Sequence, residues 1–380
     1  MVINNGRLIN FISGINGVTP GGNALVNLPV NRRIHRQKFQ CSAVNYTGGT
    51  AMATTALTGA GNDDLTVTPT IVNGVITAIA VVAGGTGYTT GDTVTLASDA
   101  TGTGFVGTVT AGGGVVSAVA VTVGGTASPI DPNVFFTGIK ILVNGVNMRD
   151  IPAAAILNIA QANGLFPSRG ELPIYYTPPW RNVNQANEIT SWDLVGQSTF
   201  SIQFTISPTV SQPSLVGIEE FDFGRNLRPD GKPFLQPTAQ HSFGFPVVVG
   251  RNDITTLPID YPISRMWIQG STPGNISQLE VFQDGNKVFE SDINQLRQSY
   301  EDMGFQFGRP NYINANWTTD NALRAAYRQP TYFDAAFISD PDQRWGKALS
   351  IDKQMILRVY SAVAQQVTVT METLPGSFSS

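Results

Sequence analysis

Residues 139–150 read Ile139-Lys-Ile-Leu-Val-Asn-Gly-Val-Asn-Met-Arg-Asp150, and residues 279–290 read Leu279-Glu-Val-Phe-Gln-Asp-Gly-Asn-Lys-Val-Phe-Glu290. They align without a gap at a constant offset of 140 residues, and the match continues to residues 165 and 305. Ile139 falls opposite Leu279, Ile141 opposite Val281, Asn144-Gly145 opposite Asp284-Gly285, Met148 opposite Val288, Ile156 opposite Leu296, and Gly164-Leu165 opposite Gly304-Phe305. Asn-Gly and Asp-Gly between alternating apolar residues are the strongest short-range hairpin signal, because both residues tolerate the positive φ of a two-residue turn. A helix should follow each hairpin. Pro152 suits a first helical position, Ser291 an N-cap, Ile293, Leu296, Tyr300 and Met303 share a face, and Gly164 and Gly304 are C-terminal stops. Strand, tight turn, strand and helix thus occur twice, the mark of a duplicated domain, although Arg297 and Ser299 replace Leu157 and Ile159 in the helical part.

Outward from these hairpins, each half closes on period-two alternation: Phe200, Ile202, Phe204 and Ile206 in the first, Val367, Val369 and Met371 in the second. Residues 207–216, with Pro208 and Pro213, read as the linker, and Gly217–Gly224 as the first strand of the second barrel. Residues 1–29 are Gly/Asn-rich with scattered apolar positions, and read as an arm that orders against a neighbour. Residues 34–46, with Ile34, Phe39, Cys41 and Ala43 alternating against polar residues, suit a half-buried strand.

Between 47 and 130 the composition shifts to Thr, Gly, Val and Ala, with no Lys or Arg between Lys38 and Lys140. This is the signature of an inserted module. It repeats internally, since Gly74–Thr86 matches Gly114–Thr126 forty residues later. Each copy is turn, strand, turn, and two copies fall short of the three that a freestanding solenoid needs. Gly84-Gly85-Thr86-Gly87 lacks the Lys and the following helix of a phosphate loop, so these are turn glycines. The expected division is an arm over 1–29, a first β domain over 30–208 interrupted by a Gly/Thr-rich β insertion at 47–130, and a second β domain over 209–380, each of which the resemblance given below implies to be a jelly roll.

At 380 residues with 42% apolar and only 13% charged residues, the chain has material for two β-rich cores, and its 39 Gly and 23 Pro favour turns over helices. No stretch reaches the ~18 uncharged apolar residues of a membrane-spanning helix, and residues 1–10 lack the regions of a signal peptide. The single Cys41 fits a reducing compartment, which makes the Asn-x-Ser/Thr matches at Asn45, Asn275 and Asn316 coincidental. The net charge of −4 is uneven: no Asp or Glu precedes Asp63, while Arg7, Arg32, Arg33, Arg36 and Lys38 do. Two readings stand for these five. The five face a polyanion such as a membrane or a packaged genome, or Arg32–Lys38 is a solvated strand edge where charge discourages unwanted pairing.

Catalytic chemistry is poorly supplied. The two histidines, His35 and His241, are two hundred residues apart, and Cys41 has no accompanying His and Asn/Asp pattern, so nucleophilic catalysis and a Cys/His zinc site are not indicated. The loop Ser339-Asp340-Pro341-Asp342-Gln343 has oxygen ligands but not the spacing of a calcium loop, so no cofactor is expected and a structural calcium has no motif behind it. The basic N-terminal region is sparse in aromatics, which leaves backbone charge contact but not base reading.

Two tandem β domains with segments such as Phe200-Ser-Ile-Gln-Phe-Thr-Ile-Ser-Pro208 and Ile276-Ser-Gln-Leu-Glu-Val-Phe-Gln-Asp-Gly-Asn-Lys287 resemble the double jelly-roll major capsid proteins of tailless, membrane-containing icosahedral phages of the corticovirus and tectivirus kind. The resemblance covers residues 30–46 and 131–380. It implies an all-β fold of two barrels with short flanking helices and homotrimers of pseudo-sixfold outline. It also implies neighbouring trimers, penton and minor capsid proteins and viral membrane lipids as partners, and a place in the virion shell after assembly in the host cytoplasm. The insertion at 47–130 departs from the simplest members and would project as a tower. Two rivals remain: a virion spike, fibre or receptor-binding protein, which the Gly/Thr-rich repeat would suit, and a β-sandwich carbohydrate-active enzyme with Trp180, Trp192 and Trp317 lining a cleft.

Overall fold

The computed structural model describes residues 7–44, 52–59, 61–72, 75–96, 103–162, 165, 167–177, 191–224, 238–272, 274–292, 332–336, 351 and 353–374. In chain order the first barrel opens with β1 (Leu8–Ile12), β2 (Asn23–Leu28) and β3 (Arg33–Val44). The insertion follows as β4 (Met52–Ala56), β5 (Leu65–Val72), β6 (Val75–Gly84), β7 (Thr93–Leu96), β8 (Thr103–Gly112) and β9 (Val115–Thr126). The barrel resumes with β10 (Ser128–Pro129), α1 (Pro132–Phe135), β11 (Phe136–Val143), β12 (Val146–Asp150), α2 (Ala153–Ala162), β13 (Glu171–Tyr175), β14 (Trp192–Asp193), β15 (Phe200–Ile206) and β16 (Ser211–Asp222). The second barrel comprises β17 (Ala239–Val247), β18 (Gly250–Ile254), β19 (Ile263–Gly270), β20 (Ile276–Gln283), β21 (Asn286–Asp292), β22 (Tyr332–Ala336), β23 (Met355–Ser361) and β24 (Gln365–Thr373).

Each barrel is two four-stranded sheets in the same order. The first pairs β1-β16-β3-β13 against β2-β15-β11-β12, and the second pairs β17-β24-β19-β22 against β18-β23-β20-β21. With the strands of a barrel lettered B to I along the chain, both give B-I-D-G facing C-H-E-F, the jelly-roll arrangement. The duplicated hairpin holds down to its irregularities. Asn144 and Gly145 have φ of 51° and 78°, Asp284 and Gly285 have 48° and 87°, and the β-bulges fall between Ile141/Leu142 and Val281/Phe282. Helix α2 forms where expected, its first bond running from Ile156 N–H to Pro152 O at 3.3 Å. The helix expected to follow Ser291, and the stops Gly164 and Gly304, lie outside the described residues.

Three expectations are corrected. Residues 8–28 are not an arm: they supply β1 and β2, whose side chains Ile12, Ala24, Val26 and Leu28 enter the first core. Gly217–Gly224 does not open the second barrel, and 207–216 is not the linker. That segment is the turn into β16, which completes the first barrel by pairing with β3 and β1, so the crossing between barrels comes after Asp222. The basic stretch is not at a sheet edge, because β3 is central, with β16 on one side and β10, β13 and β14 along the other.

The first core lies between its two sheets, where Phe204 touches Phe39 at 4.7 Å and Phe136 at 5.0 Å between ring centroids. The second is mostly aliphatic, around Met266, Ile268, Leu279, Val281, Leu357, Val359, Val367 and Val369. Full burial of such side chains stabilises by roughly 1.5–3 kcal/mol each. The insertion has its own core of Leu65, Val67, Ile76, Phe105, Val109 and Val116, and it is itself doubled at an offset of forty residues. Bulges at Thr66/Val67 and Thr70/Ile71 recur at Val106/Gly107 and Thr110/Ala111. The two halves meet where β4 pairs β7, and β6 packs on β9 so closely that a Cβ on Gly84 would stand 2.5 Å from Val116 O and one on Gly124 2.6 Å from Ile76 O.

Candidate functional site

The B-to-C and H-to-I turns share one end of each barrel. Ile206 N–H bonds Gly22 O at 2.8 Å in the first, and Ala362 N–H bonds the D-to-E segment at Asn275 O, at 2.7 Å, in the second. The opposite end carries the hairpin turns, which dock on the residues that lead into strand H. Asn144 donates its N–H to Thr199 O and accepts from Ser198 and Thr199 N–H at 2.7 and 3.2 Å, and Asp284 binds Gln354 O, Lys353 N–H and Gln354 N–H in the same way. The insertion leaves from Val44 at the first of these ends and returns through β10, which pairs with β3 at Ser42 and Ala43.

The barrels join where β12 and β17 pair in parallel, Arg149 opposite Gln240 and Asp150 opposite His241. This single contact fuses β2-β15-β11-β12 and β17-β24-β19-β22 into one eight-stranded sheet. A parallel pairing also fixes orientation. β12 and β17 both run toward the end bearing the B-to-C turns, so the two barrels stand the same way up. The junction is polar and buried: Arg149 donates to Tyr175 O at 2.8 Å and lies over the rings of Tyr176 and Trp192 at 4.9 and 5.0 Å. Burial pushes its guanidinium down, against the pull of Tyr176 and Glu372. Gln240 donates to Glu372 Oε2 at 3.0 Å, and Asn158 of α2 reaches across to Gln269 of the second barrel at 2.7 Å.

The structure gives each of the five basic residues of the N-terminal region a carboxylate, with Arg7, Arg32, Arg33 and Arg36 toward the end away from the insertion and Lys38 midway along β3. Arg7 and Arg36 bind Glu220 at 2.9 and 2.5 Å, Arg32 binds Glu219, Arg33 binds Asp222 at 2.6 Å, and Lys38 binds Glu171 at 2.6 Å. Asp222 also accepts from His35 Nε2 at 2.8 Å and Gly224 N–H at 2.7 Å, and His35 Nδ1 meets Thr177 Oγ1 at 3.3 Å. Burial alone would raise the Asp222 carboxyl, but the hydrogen bonds from His35 and Arg33 hold it well below the usual carboxylate range. Burial pushes Glu219 up, with Arg32 opposing. Five cations against four carboxylates leave little free charge, and only Arg7 and Arg36 keep a large part of their side chains, 47% and 40%, in solvent. Sequence reasoning missed the acidic partners Glu219, Glu220 and Asp222. The signal was the run Glu219-Glu220-Phe221-Asp222 against Arg32–Lys38, two oppositely charged strands of matching length.

A second ion-pair row crosses the outer face of the second barrel. In-register neighbours Asp253, Arg358, Glu280 and Glu290 lie on four adjacent strands, with Lys287 between Glu280 and Glu290 at 3.0 and 2.9 Å. Among the described residues no group of three or more His, Cys, Asp or Glu is placed to hold a metal ion, and none of the helices is long and apolar enough to cross a membrane. Ser339–Gln343, Trp180 and Trp317 lie outside the described residues, and Trp192 is fully buried between Tyr176 and Phe200, so it lines no cleft.

Two B-I-D-G/C-H-E-F barrels in one chain, side by side and equally oriented, define the double jelly-roll fold. The major capsid protein P2 from Bacteriophage PM2 shares it over 99% of this chain and 100% of that one, at a TM-score of 0.59 and 11% sequence identity. The STIV MCP matches 97% of each chain at 0.53 and 8%, and PBCV-1 VP54, fitted into a reconstruction of the virophage Sputnik, covers 97% of this chain and 94% of its own at 0.50 and 7%. At these identities the likeness is one of fold. No protein-family model matches the chain, and no curated protein matches it by sequence.

Proposed function

We propose that the chain is a structural virion protein, the major capsid subunit of a tailless icosahedral virus, and that its homotrimers of pseudo-hexagonal outline tile the shell. The observation that carries this is the parallel β12·β17 junction, which sets two like barrels upright side by side. Three such pairs around a threefold axis present six similar walls. The whole-length likeness to coat proteins of PM2 and STIV supports the same reading. The strands adjoining both chain termini, β1 and β24, begin and end respectively at the end opposite the insertion. That end, with Arg7 and Arg36 exposed, is assigned to the viral interior and its lipid or genome; the insertion is the outward tower. Neighbouring trimers, penton and minor capsid proteins are the expected partners.

Light scattering of the purified full chain tests this, followed by negative-stain imaging. Compact particles of three times the 40.6 kDa chain mass with a hexagonal outline are expected. A stable monomer would overturn the proposal, and an elongated trimer would favour a fibre or spike.

A further inference from the structure

We propose that the outer face of β1, β16 and β3 in the first barrel, around Ile9, Phe11, Val216 and Ile218, is covered by the second barrel of a second copy. This rests on the capsid reading and adds to it the surface through which copies join.

Alternation along each strand defines the face. Ile12, Leu215, Phe39 and Cys41 point into the first core, so Ile9, Phe11, Val216, Ile218, Lys38 and Gln40 point out. The second barrel has a counterpart, fixed by a shared bulge. Between Glu220 and Phe221 the register of β16 on β3 skips His35, and between Glu372 and Thr373 the register of β24 on β19 skips Ser264. Glu220 and its neighbour Arg36 therefore correspond to Glu372 and its neighbour Arg265. Counting along the strands from there, Lys38 corresponds to Trp267, Gln40 to Gln269, Ile218 to Thr370, Val216 to Thr368, Phe11 to Ser242 and Ile9 to Gln240.

The two faces differ in what covers them. In the second barrel Trp267, Thr370 and Gln240 are buried. Helix α2 of the first barrel lies over the first two: Asn158 donates to Gln269 Oε1 at 2.7 Å, and Ala155 and Ile159 line one cavity with Trp267, Gln269 and Thr370. The side chains of this face that match the apolar ones are polar and paired, Ser242 with Thr370 at 2.7 Å and Gln240 with Glu372 at 3.0 Å. In the first barrel the order is reversed. Ile9, Phe11 and Val216 are 61%, 85% and 57% exposed, and Phe11 stands directly opposite Ile218 on the neighbouring strand. Apolar side chains gathered on an open face mark a contact surface, and an exposed aromatic is the residue type that such surfaces favour.

The occupant follows from what the chain already does. Within the chain a face of this kind is covered by a neighbouring barrel, and the first barrel of every copy is already engaged, through α2, with its own second barrel. The barrel that a second copy has free to bring is its second one. Such a contact is head-to-tail, so it closes into a ring or extends into a filament. Barrels that alternate in this way, first on second and second on first, match the six walls of a closed trimer.

The test is Val216→Cys carrying a benzophenone maleimide, in the full chain, cross-linked by ultraviolet light where light scattering reads three chains. Native Cys41 is buried, so the unmutated chain serves as the unlabelled control. The expected result is a product of more than one chain on a denaturing gel, with its cross-linked peptide within residues 239–374. Phe11→Cys, on the same face, repeats the measurement if the first variant does not fold. In parallel, Val216→Lys should weaken association by about ten-fold or more, while urea unfolding of the dissociated chain stays unchanged. A trimer that gives no inter-chain product, gives one outside residues 239–374, or is untouched by Val216→Lys overturns the covering and leaves the capsid reading standing. An unmutated chain that stays a monomer overturns both.

Discussion

Asp222→Asn tests the buried cluster at the base of the first barrel. The carboxylate accepts from Arg33 Nε at 2.9 Å, Arg33 Nη2 at 2.6 Å, His35 Nε2 at 2.8 Å and Gly224 N–H at 2.7 Å. Asparagine has the same shape. Its oxygen can keep the bonds from Arg33 Nε and Gly224, but its NH2 then meets two donors, Arg33 Nη2 and His35 Nε2. The buried guanidinium of Arg33 loses the charge that Asp222 supplies. Removing one partner of a buried pair costs about 3–5 kcal/mol, a large share of the 5–15 kcal/mol that typically holds a native protein together. The sign of the pH dependence follows from the depressed carboxyl. Its stabilisation is fully present above the unfolded-state value of about 3.9 and is lost as pH falls toward the lower folded value. Urea unfolding of both proteins at one concentration, at pH 7 and in steps below pH 4, reads this directly. The gap should be several kcal/mol at pH 7 and narrow in acid. A gap under about 1 kcal/mol at pH 7, or one unchanged at pH 3, would refute the assignment of Asp222 as the ionised centre of the cluster.

Three further outcomes are expected. Asn144→Ala and Asp284→Ala should each destabilise by about 1–3 kcal/mol, through lost bonds to the residues leading into strand H and a strained positive φ, and Asn144→Gly should recover only the backbone part in the same urea assay. Gly124→Ala should loosen the insertion alone, seen as protease cleavage within 52–126 while both barrels stay intact. Cys41, whose thiol burial pushes up to about 12, should not react with a thiol reagent at pH 8 until the protein unfolds.

What was legible in the sequence was whatever repeats or alternates. The hairpin at 139–150 and its copy at 279–290, the forty-residue repeat and the strand at Phe200–Ile206 all stand where periodicity put them. β16 did not follow that logic. Its buried positions include Glu219, Glu220 and Asp222, which pair with basic residues of β3 and its flanks, and a period-two reading treats carboxylates as solvent-facing. Pro208 and Pro213 at its start completed the disguise as a linker. β1 and β2 hid differently: five- and six-residue strands between glycines bury too little to declare themselves, and β1 turns its apolar side chains outward. The five basic residues were read as a group facing a polyanion or a strand edge, and their pairing with carboxylates is visible only once β3 and β16 are known to be neighbours.

The placement of the insertion bears on how the chain folds. Closing the first barrel means bringing together groups as far apart as Arg7 and Glu220, separated by 213 residues. Contacts this distant make folding slow and leave strand edges open meanwhile. The insertion works against that delay. Its hairpins β5·β6 and β8·β9 are local and can form early, and its two ends finish side by side, where Ile130 N–H bonds Cys41 O at 3.4 Å. Once folded, it no longer behaves as a long slack loop between β3 and β11, and the search left to the barrel is that of a shorter chain. The logarithmic growth of loop-closure entropy, about 0.6 kcal/mol per doubling of length, makes the thermodynamic saving small. The gain is in time, which shortens the interval in which strand edges stand open to other chains.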